Sequence, residues 1–500
     1  MTVPQPFDSS GVRRDGSGVK RYLDLPGSAV EMLRASVERT PDQEAVVELD
    51  GPRVSYRQLW DAAARVAGGL RAAGVERGDR VAIRHGNGLD WVLSFWGALL
   101  AGAVAVPVNT RLTEGEVEYV VGDCGAKVVL TPGSPLPDGE PFVAEDLTLA
   151  DLAAIFYTSG TTGFPKGAMT SHENFLTNAE NALRVARIPR GDPTIRNLVS
   201  VPLFHVTGCN SQLLPSILGN GTTVVMPVFD VHRFLRAIVE ERIRVVTSVP
   251  AIYWYALSRP DVGEYDLSRV SWASYGGAPI APSLVRRIKQ GFPNARVGNG
   301  FGLTETSSIS TFLPDEWAYT HTESVGFAAP TVDLDLADVG ESDVGELLIR
   351  GGNVVAGYWG KPKETAETFR DGWLHSGDLA RIDEEGRVYV VDRLKDMINR
   401  GGEKVFSVEV ENVLAAAPGV FEVAVVPVPD EMMGEKVAAV LVPTPGQQLD
   451  TDAVLAYARD RLADFKVPEY VRVQAEPLPR NPGGKLLKGR LREQLQQATG

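Results

Sequence analysis

Cysteine is nearly absent, with Cys124 and Cys209 the only two in 500 residues. They lie far apart and form neither a Cys-x-x-Cys pair nor a metal-ligand spacing. That excludes a disulfide-stapled domain and predicts two small buried side chains in a reducing compartment. Positive charge is in deficit: 50 Lys and Arg stand against 64 Asp and Glu, a formal charge of -14. Such a balance argues against a dedicated nucleic-acid surface, while leaving room for a local basic groove around an anionic cofactor. Internal repeats and long low-complexity stretches are missing. The first residues, MTVPQPFDSSGVRRDGSGVKRY, lack the apolar core of a secretory signal, so the expectation is a cytoplasmic protein.

One long apolar run exists, from Trp91 to Val108, and it reaches the length of a membrane span. Gly97, Gly102 and Pro107 break it, and its end, AVAVPVN, reads as a buried parallel strand. The expectation is a core helix running into a strand, with no membrane span.

From Tyr56 onward, helical spacing (Leu59, Ala63, Val66, Ala67, Leu70) alternates with short apolar runs at Arg80 to His85, Lys127 to Leu130, Thr222 to Met226 and Arg244 to Val249. This predicts an α/β fold: a large N-terminal domain of parallel sheets covered by helices. Between Ser324 and Arg350 short extended pieces with acidic turns predict a small β-rich subdomain. After VVDRLKD come a glycine pair, a helix near Ser407 to Ala417, and strands near Val423 to Val428 and Lys436 to Val442. They predict a small α+β C-terminal domain of about a hundred residues behind a short polar hinge.

The chemistry concentrates in YTSGTTGFPKG, Tyr157 to Gly167, which follows the apolar run Leu152 to Tyr157. A loop leaving a strand end can converge backbone N–H groups and hydroxyls on an anion. Gly160 and Gly163 permit close backbone approach, Thr158, Ser159, Thr161 and Thr162 offer donors, and Lys166 supplies a point charge. The pattern is not a Walker loop, because Pro165 precedes Lys166 and Gly167 follows it where Ser or Thr would be required. By composition it reads as a different kind of polyphosphate cradle or, equally, as an ordinary turn.

This string resembles the phosphate-binding signature of the adenylate-forming superfamily, in its acyl- and aryl-CoA synthetase branch. Further segments resemble it in the same order: PLFHVTG from Pro202, SYGGAPI from Ser274, NGFGLTET from Asn299, HSGDLA from His375, DRLKDMINRGGEKVFSVEVE from Asp392, and PRNPGGKLLK containing Lys485. The resemblance implies an N-terminal adenylation domain, 1–394, and a mobile C-terminal lid, 395–500. It implies ATP, Mg²⁺ and coenzyme A as cofactors and a small carboxylic acid as substrate.

Under that resemblance, Gly276, Gly277, Ala278 and Pro279 form a shelf for the purine, with Phe301 able to stack on its other side. Asn299, Gly300, Gly302 and Thr304 complete the nucleotide site. Asp378 takes the ribose hydroxyls with Arg393 assisting. Glu305 and Thr158 serve Mg²⁺, a hard ion that prefers oxygen. Lys485 neutralises charge as the carboxylate attacks the α-phosphorus. Lys395 is the hinge, and Arg400, Gly401 and Gly402 line the passage for the pantetheine arm.

His205 falls at the wall of the acyl pocket. Amino-acid-activating members carry Asp after the aromatic residue there, so an amino-acid substrate is not expected. Apolar residues at Phe204, Val206, Gly302, Leu303 and Phe312 point to a hydrophobic or aromatic acid, or equally to core packing. Related segments read GGENIYP where this chain reads GGEKVFS, so Lys404 and Ser407 depart from the pattern; Lys404 could attract an anionic cofactor. The acceptor is free coenzyme A or, alternatively, the pantetheine of a carrier protein or a separate transferase. A catalytically silent nucleotide-binding protein is the third reading, and the oligomeric state, with an oligomer among the options, is left open by the sequence.

Overall fold

In the computed structural model the described residues are 6–158, 164–278, 280–339, 343–480 and 486–499, with side chains through 495. The run expected to be interior is interior. Helix Leu89–Leu100 is apolar apart from Asp90 and Ser94 and buries Trp91, Phe95 and Trp96 completely, and the strand Val104–Pro107 that follows has every residue buried. Each such side chain contributes about 1.5–3 kcal/mol on leaving water. Gly97 lets this helix press against Tyr56–Ala72: a Cβ at Gly97 would stand 2.4 Å from a Val66 methyl. No described helix is long and apolar enough to cross a membrane.

The helical connections wrap two sheets. The first runs Ala126–Leu130, Arg80–Ile83, Val104–Pro107, Leu152–Thr158, Lys166–Ser171, parallel except for the last strand, which returns antiparallel to Leu152–Thr158. The second has nine strands, with Arg296–Phe301, Trp272–Gly276, Val245–Ser248, Arg196–Val199, Thr222–Val225 and Glu44–Glu48 as its parallel centre. Antiparallel additions close both edges. Parallel strands with both faces covered need continuous apolar runs, which is why these segments read as short hydrophobic blocks. Cys124 and Cys209 are buried free thiols, and burial pushes Cys124 up to about 11 and Cys209 well above the ordinary range. They stay protonated and unreactive.

The acidic, extended stretch forms a third sheet, in which Val332–Ala337, Gly345–Gly351, Trp373–Ile382 and Val388–Arg393 pair antiparallel. Beyond it, Val420–Asp430 and Gly434–Pro443 form a long hairpin. Helix Ser407–Ala415 packs beside Val420–Asp430, Ile398–Arg400 joins one edge of this sheet, and Tyr470–Val473 pairs with Gly434–Pro443. The sheet has its own aliphatic cores, one around Val410, Leu414, Val425 and Leu441 and one beneath Leu491 and Leu495.

Candidate active site

Three of the sequence segments singled out above end at carboxyl ends of strands, where open α/β sheets place their ligands. Thr158 ends Leu152–Thr158 and lies opposite Lys166 in the antiparallel register. Gly276 ends Trp272–Gly276 and lies beside Gly300 in the parallel register. A Cβ on Gly276 would stand 2.2 Å from the Gly300 carbonyl oxygen, so only glycine lets these strands end flush, and Gly277 follows at φ +75°. Ala278 is exposed beyond them. Ser159, Gly160, Thr161, Thr162, Gly163, Pro279 and Lys485 lie outside the described residues.

The described flanks of the Tyr157 to Gly167 segment are braced from outside. Phe164 stacks on Tyr119 with ring centroids 4.6 Å apart. Tyr157 donates to Asp123 at 2.7 Å, and Lys361 pairs with the same carboxylate at 2.7 Å.

The residue that joins the phosphate segment to Glu305 is Tyr358, which the sequence reading passed over. Its hydroxyl donates to Glu305 Oε1 at 2.7 Å, and Lys166 Nζ sits 4.2 Å from its ring centroid. Its backbone bridges Ala168, and the next residue, Trp359, donates from its N–H to the Gly167 carbonyl at 2.8 Å. Burial, followed by the neighbouring Glu305 carboxylate, pushes the Tyr358 phenol upward, so it remains a donor.

The turn Thr304–Thr306 carrying Glu305 is held by asparagines that the sequence reading also passed over. Asn353 donates to the Thr306 and Ile309 carbonyls at 3.1 and 2.9 Å, Asn210 donates to the Ser307 carbonyl at 3.1 Å, and Asn178 accepts from the Ile309 N–H at 2.8 Å. Asn174 donates to the Gly352 and Val354 carbonyls. Asn174, Asn178 and Asn181 lie on one face of helix His172–Val185 at spacings of four and three, a signal the sequence carried. The clamp holds Ser307 at φ +53° and Ser308 at φ +116°, backbone states that cost energy away from glycine and occur where surroundings over-determine them. Gly302 is needed because a Cβ there would stand 1.3 Å from the Ser308 carbonyl oxygen.

In the third sheet Asp378 is buried, pairs in register with Arg393, and makes a 2.8 Å ion pair with its Nε. Glu346 supports this turn by accepting from the Gly377 N–H at 3.0 Å while contacting His375 Nδ1 at 2.8 Å. Asn299 is buried and donates to the Ser324 carbonyl at 3.2 Å. Phe301 and Leu303 are half-buried. Phe312 is core, stacked on Trp272 at 5.8 Å, which decides for it the choice between pocket and packing. His205 stands before the short helix Val206–Gly208, its ring 4.7 Å from that of Phe204. A π-helical stretch, Cys209–Leu213, follows, a distortion frequent at functional sites.

At Lys395, the expected hinge, burial lowers the ammonium below its usual range, and the backbone carbonyl accepts from Arg492 at 3.4 Å. Arg400 is paired with Glu469 at 2.8 Å, and Gly401 and Gly402 take φ +61° and +99° on the turn between Ile398–Arg400 and Glu403–Val405. Among the described residues no group of three His, Cys, Asp or Glu side chains could hold a metal. Glu305 and Thr158 offer one carboxylate and one hydroxyl, a donor set that fits an Mg²⁺ ion brought in on phosphate oxygens and water.

Comparison with known proteins matches this frame over most of its length. Residues 33–148 and 132–359 match the family "AMP-binding enzyme", and residues 409–485 match "AMP-binding enzyme C-terminal domain". The chain is similar to a feruloyl-CoA synthase of Amycolatopsis sp, 37% identical over 91% of this chain and 97% of that protein. It is also similar to a long-chain-fatty-acid–CoA ligase of Mycobacterium tuberculosis, 36% identical over 93% and 97%. The solved structure of ATP-bound MatB from Rhodopseudomonas palustris superposes with a TM-score of 0.85 at 30% identity, covering 95% of this chain and all of that one. With both family regions matched in order and such relatives along nearly their whole length, the chain belongs to the AMP-binding enzyme family, in the acyl-CoA synthetase branch of the adenylate-forming superfamily.

Proposed function

We propose that this protein is an acid-CoA ligase that activates a hydrophobic or aromatic carboxylic acid with Mg-ATP and passes the acyl group to coenzyme A. In the first step the carboxylate oxygen bonds to the α-phosphorus while the bond to the β-phosphate oxygen breaks, releasing pyrophosphate. In the second the coenzyme A sulfur bonds to the acyl carbon and AMP leaves. The two carboxylate relatives named above, matched over almost their full length, support this reading.

The single observation that carries it is the Tyr358 junction, which puts the Lys166 ammonium and the Glu305 carboxylate on one tyrosine. In this reading Lys166 meets the phosphates, and Glu305 with Thr158 faces the magnesium that travels with ATP. Gly276, Gly277 and Ala278 are the adenine shelf, and Asp378 with Arg393 takes the ribose. His205 lies at the acyl-pocket wall. Residues 1–394 serve as the adenylation body and 395–500 as the lid that swings on Lys395. The lid delivers Lys485 for the first step and the Gly401–Gly402 turn for the second.

A carboxylate panel read by pyrophosphate release, followed by mass detection of thioester, tests the reading. Acid-dependent release with thioester formation is expected. Acyl adenylate accumulating without thioester would redirect the acceptor to a carrier protein, and no release across the panel would remove the enzyme. Within an active enzyme, Tyr358→Phe is expected to lower acid-dependent ATP–pyrophosphate exchange roughly tenfold and to raise the magnesium requirement, since one charge-assisted hydrogen bond orienting Glu305 is lost.

A further inference from the structure

We propose that Lys488 is a positioning residue for Lys485, tying the segment that carries the proposed catalytic ammonium to the last strand before the hinge through Ser407 and Asp392. The proposal rests on the ligase reading.

Asp392, in the strand Val388–Arg393, is 1% exposed. Its carboxylate accepts from the backbone N–H of Ser407 and, at 2.9 Å, from the Ser407 hydroxyl. That hydroxyl accepts in turn from Lys488 Nζ at 2.6 Å, and the same ammonium pairs with Glu411 at 2.7 Å. Glu411 is itself fixed by the Val425 N–H at 2.8 Å. The result is a directed chain of donors, Lys488 to Ser407 to Asp392, across three segments: the end of the third sheet, the start of helix Ser407–Ala415, and the start of helix Lys488–Thr499. Both ends are charged and shielded, with the Lys488 side chain 12% exposed, so neither can be left unpartnered cheaply.

Lys488 is three positions beyond Lys485, a span of at most roughly 10 Å of chain. The flanks of residues 481–485 are pinned as well. Arg480 and Leu486 pair as an antiparallel bridge, the Leu487 N–H donates to the Pro479 carbonyl at 2.8 Å, and the Leu478 N–H donates to Glu422 at 2.9 Å. From Leu486 to Lys488 the chain therefore follows a path set by the Leu486 bridge and the Lys488 anchor. Arg492, one turn along the same helix, reaches the carbonyl of Lys395.

Rotation about Lys395 carries Ser407, Glu411 and Lys488 with the lid while Asp392 stays in the third sheet. The strut thus belongs to one lid orientation and must part in another. A proline at position 407, as in GGENIYP, has neither N–H nor hydroxyl, so this chain's departure from that pattern supplies the middle link. The site would accept the proline: Ser407 is the first residue of its helix, and Phe406 before it is extended at φ -84°, ψ 118°.

The test separates the two half-reactions in the full-length enzyme, with the acid identified by the panel. Lys488→Met is expected to lower kcat for ATP–pyrophosphate exchange by about tenfold or more, as a catalytic group displaced by an ångström does. KM for ATP, and thioester formation from supplied acyl adenylate and coenzyme A, should stay within about twofold. Lys488→Arg should recover most of the exchange, and Ser407→Pro should show the same split at smaller size. Equal loss in both halves, or no loss in either, would overturn the proposal. If Lys488→Met does not fold, Ser407→Pro carries the test with the same outcomes. A wild-type enzyme with no acid-dependent exchange would instead remove the ligase reading, and this proposal with it.

Discussion

Around Glu305 three asparagine side chains, from helix His172–Val185, the π-helical stretch and Asn353, spend their hydrogen bonds on the carbonyls and N–H groups of one turn. Around Gly401 the plan is reversed: the turn is exposed, takes left-handed backbone at two successive glycines, and is tied down by the Met433 carbonyl and the Asn399 side chain. The first region keeps a non-glycine backbone in costly conformations by surrounding it; the second avoids that cost by using residues with no Cβ. Under the proposed function, a carboxylate that faces magnesium gains from being immobile, whereas a surface that has to arrive and depart cannot be built into a buried network.

The comparison can be broken at several points. The largest effect is expected for Lys485→Ala, with loss of acid-dependent ATP–pyrophosphate exchange by a factor on the order of 10²–10³ while ATP binding persists. Isotope exchange beside a nucleotide-binding titration measures both, and unchanged exchange would strip Lys485 of its role.

Acid should weaken the rigid region next. His172 accepts from the Ala29 N–H at 3.2 Å, and burial lowers it from 6.5 to about 4. Because the folded value is the lower one, its contribution is complete above about pH 6.5 and is lost as pH falls toward 4, a change of about 3 kcal/mol at most. Buried Glu411, in helix Ser407–Ala415, is raised by burial, so in the C-terminal region acidification works in the opposite sense. Denaturation followed from pH 7 to 4.5 with probes in each region should show opposite slopes, and His172→Gln should flatten the first.

Asn353→Ala leaves one buried and one partly buried carbonyl without their donor and should cost about 2 kcal/mol. Exchange should fall and thioester formation from supplied adenylate should not, as the half-reaction assays report. Gly401→Ala is the smallest and the mirror image. A side chain at φ +61° costs about 1 kcal/mol, and the new Cβ meets only the mobile end of Met433. Thioester formation should drop a few-fold with exchange intact; a fall in exchange instead would erase the contrast between the two turns.

Much of this was legible beforehand. Leu152 to Tyr157 became the strand Leu152–Thr158, the apolar run at Trp91 became helix then strand, and the tail became an α+β unit. Each of these signals fits within a window of about ten residues. The antiparallel return of Lys166–Ser171 was not read, because KGAMTS carries neither a continuous apolar run nor a strict alternation. Tyr358 was missed because a tyrosine in NVVAGYW has no local mark of its distant partners, Lys166 and Glu305.

By itself the sequence determined which stretches are helix and strand, the apolar character that buries them, and the order of the segments that mark the family, because periodicity and composition act between neighbours along the chain. Tertiary structure alone decided that Tyr358 would join Lys166 to Glu305, that Asn178 would help clamp a turn about 130 positions away, and that Lys488 would reach Asp392 through Ser407. Those pairings require hydrogen-bond distances of about 3 Å between residues that only the closing of the sheets, and the burial that closing brings, can set side by side.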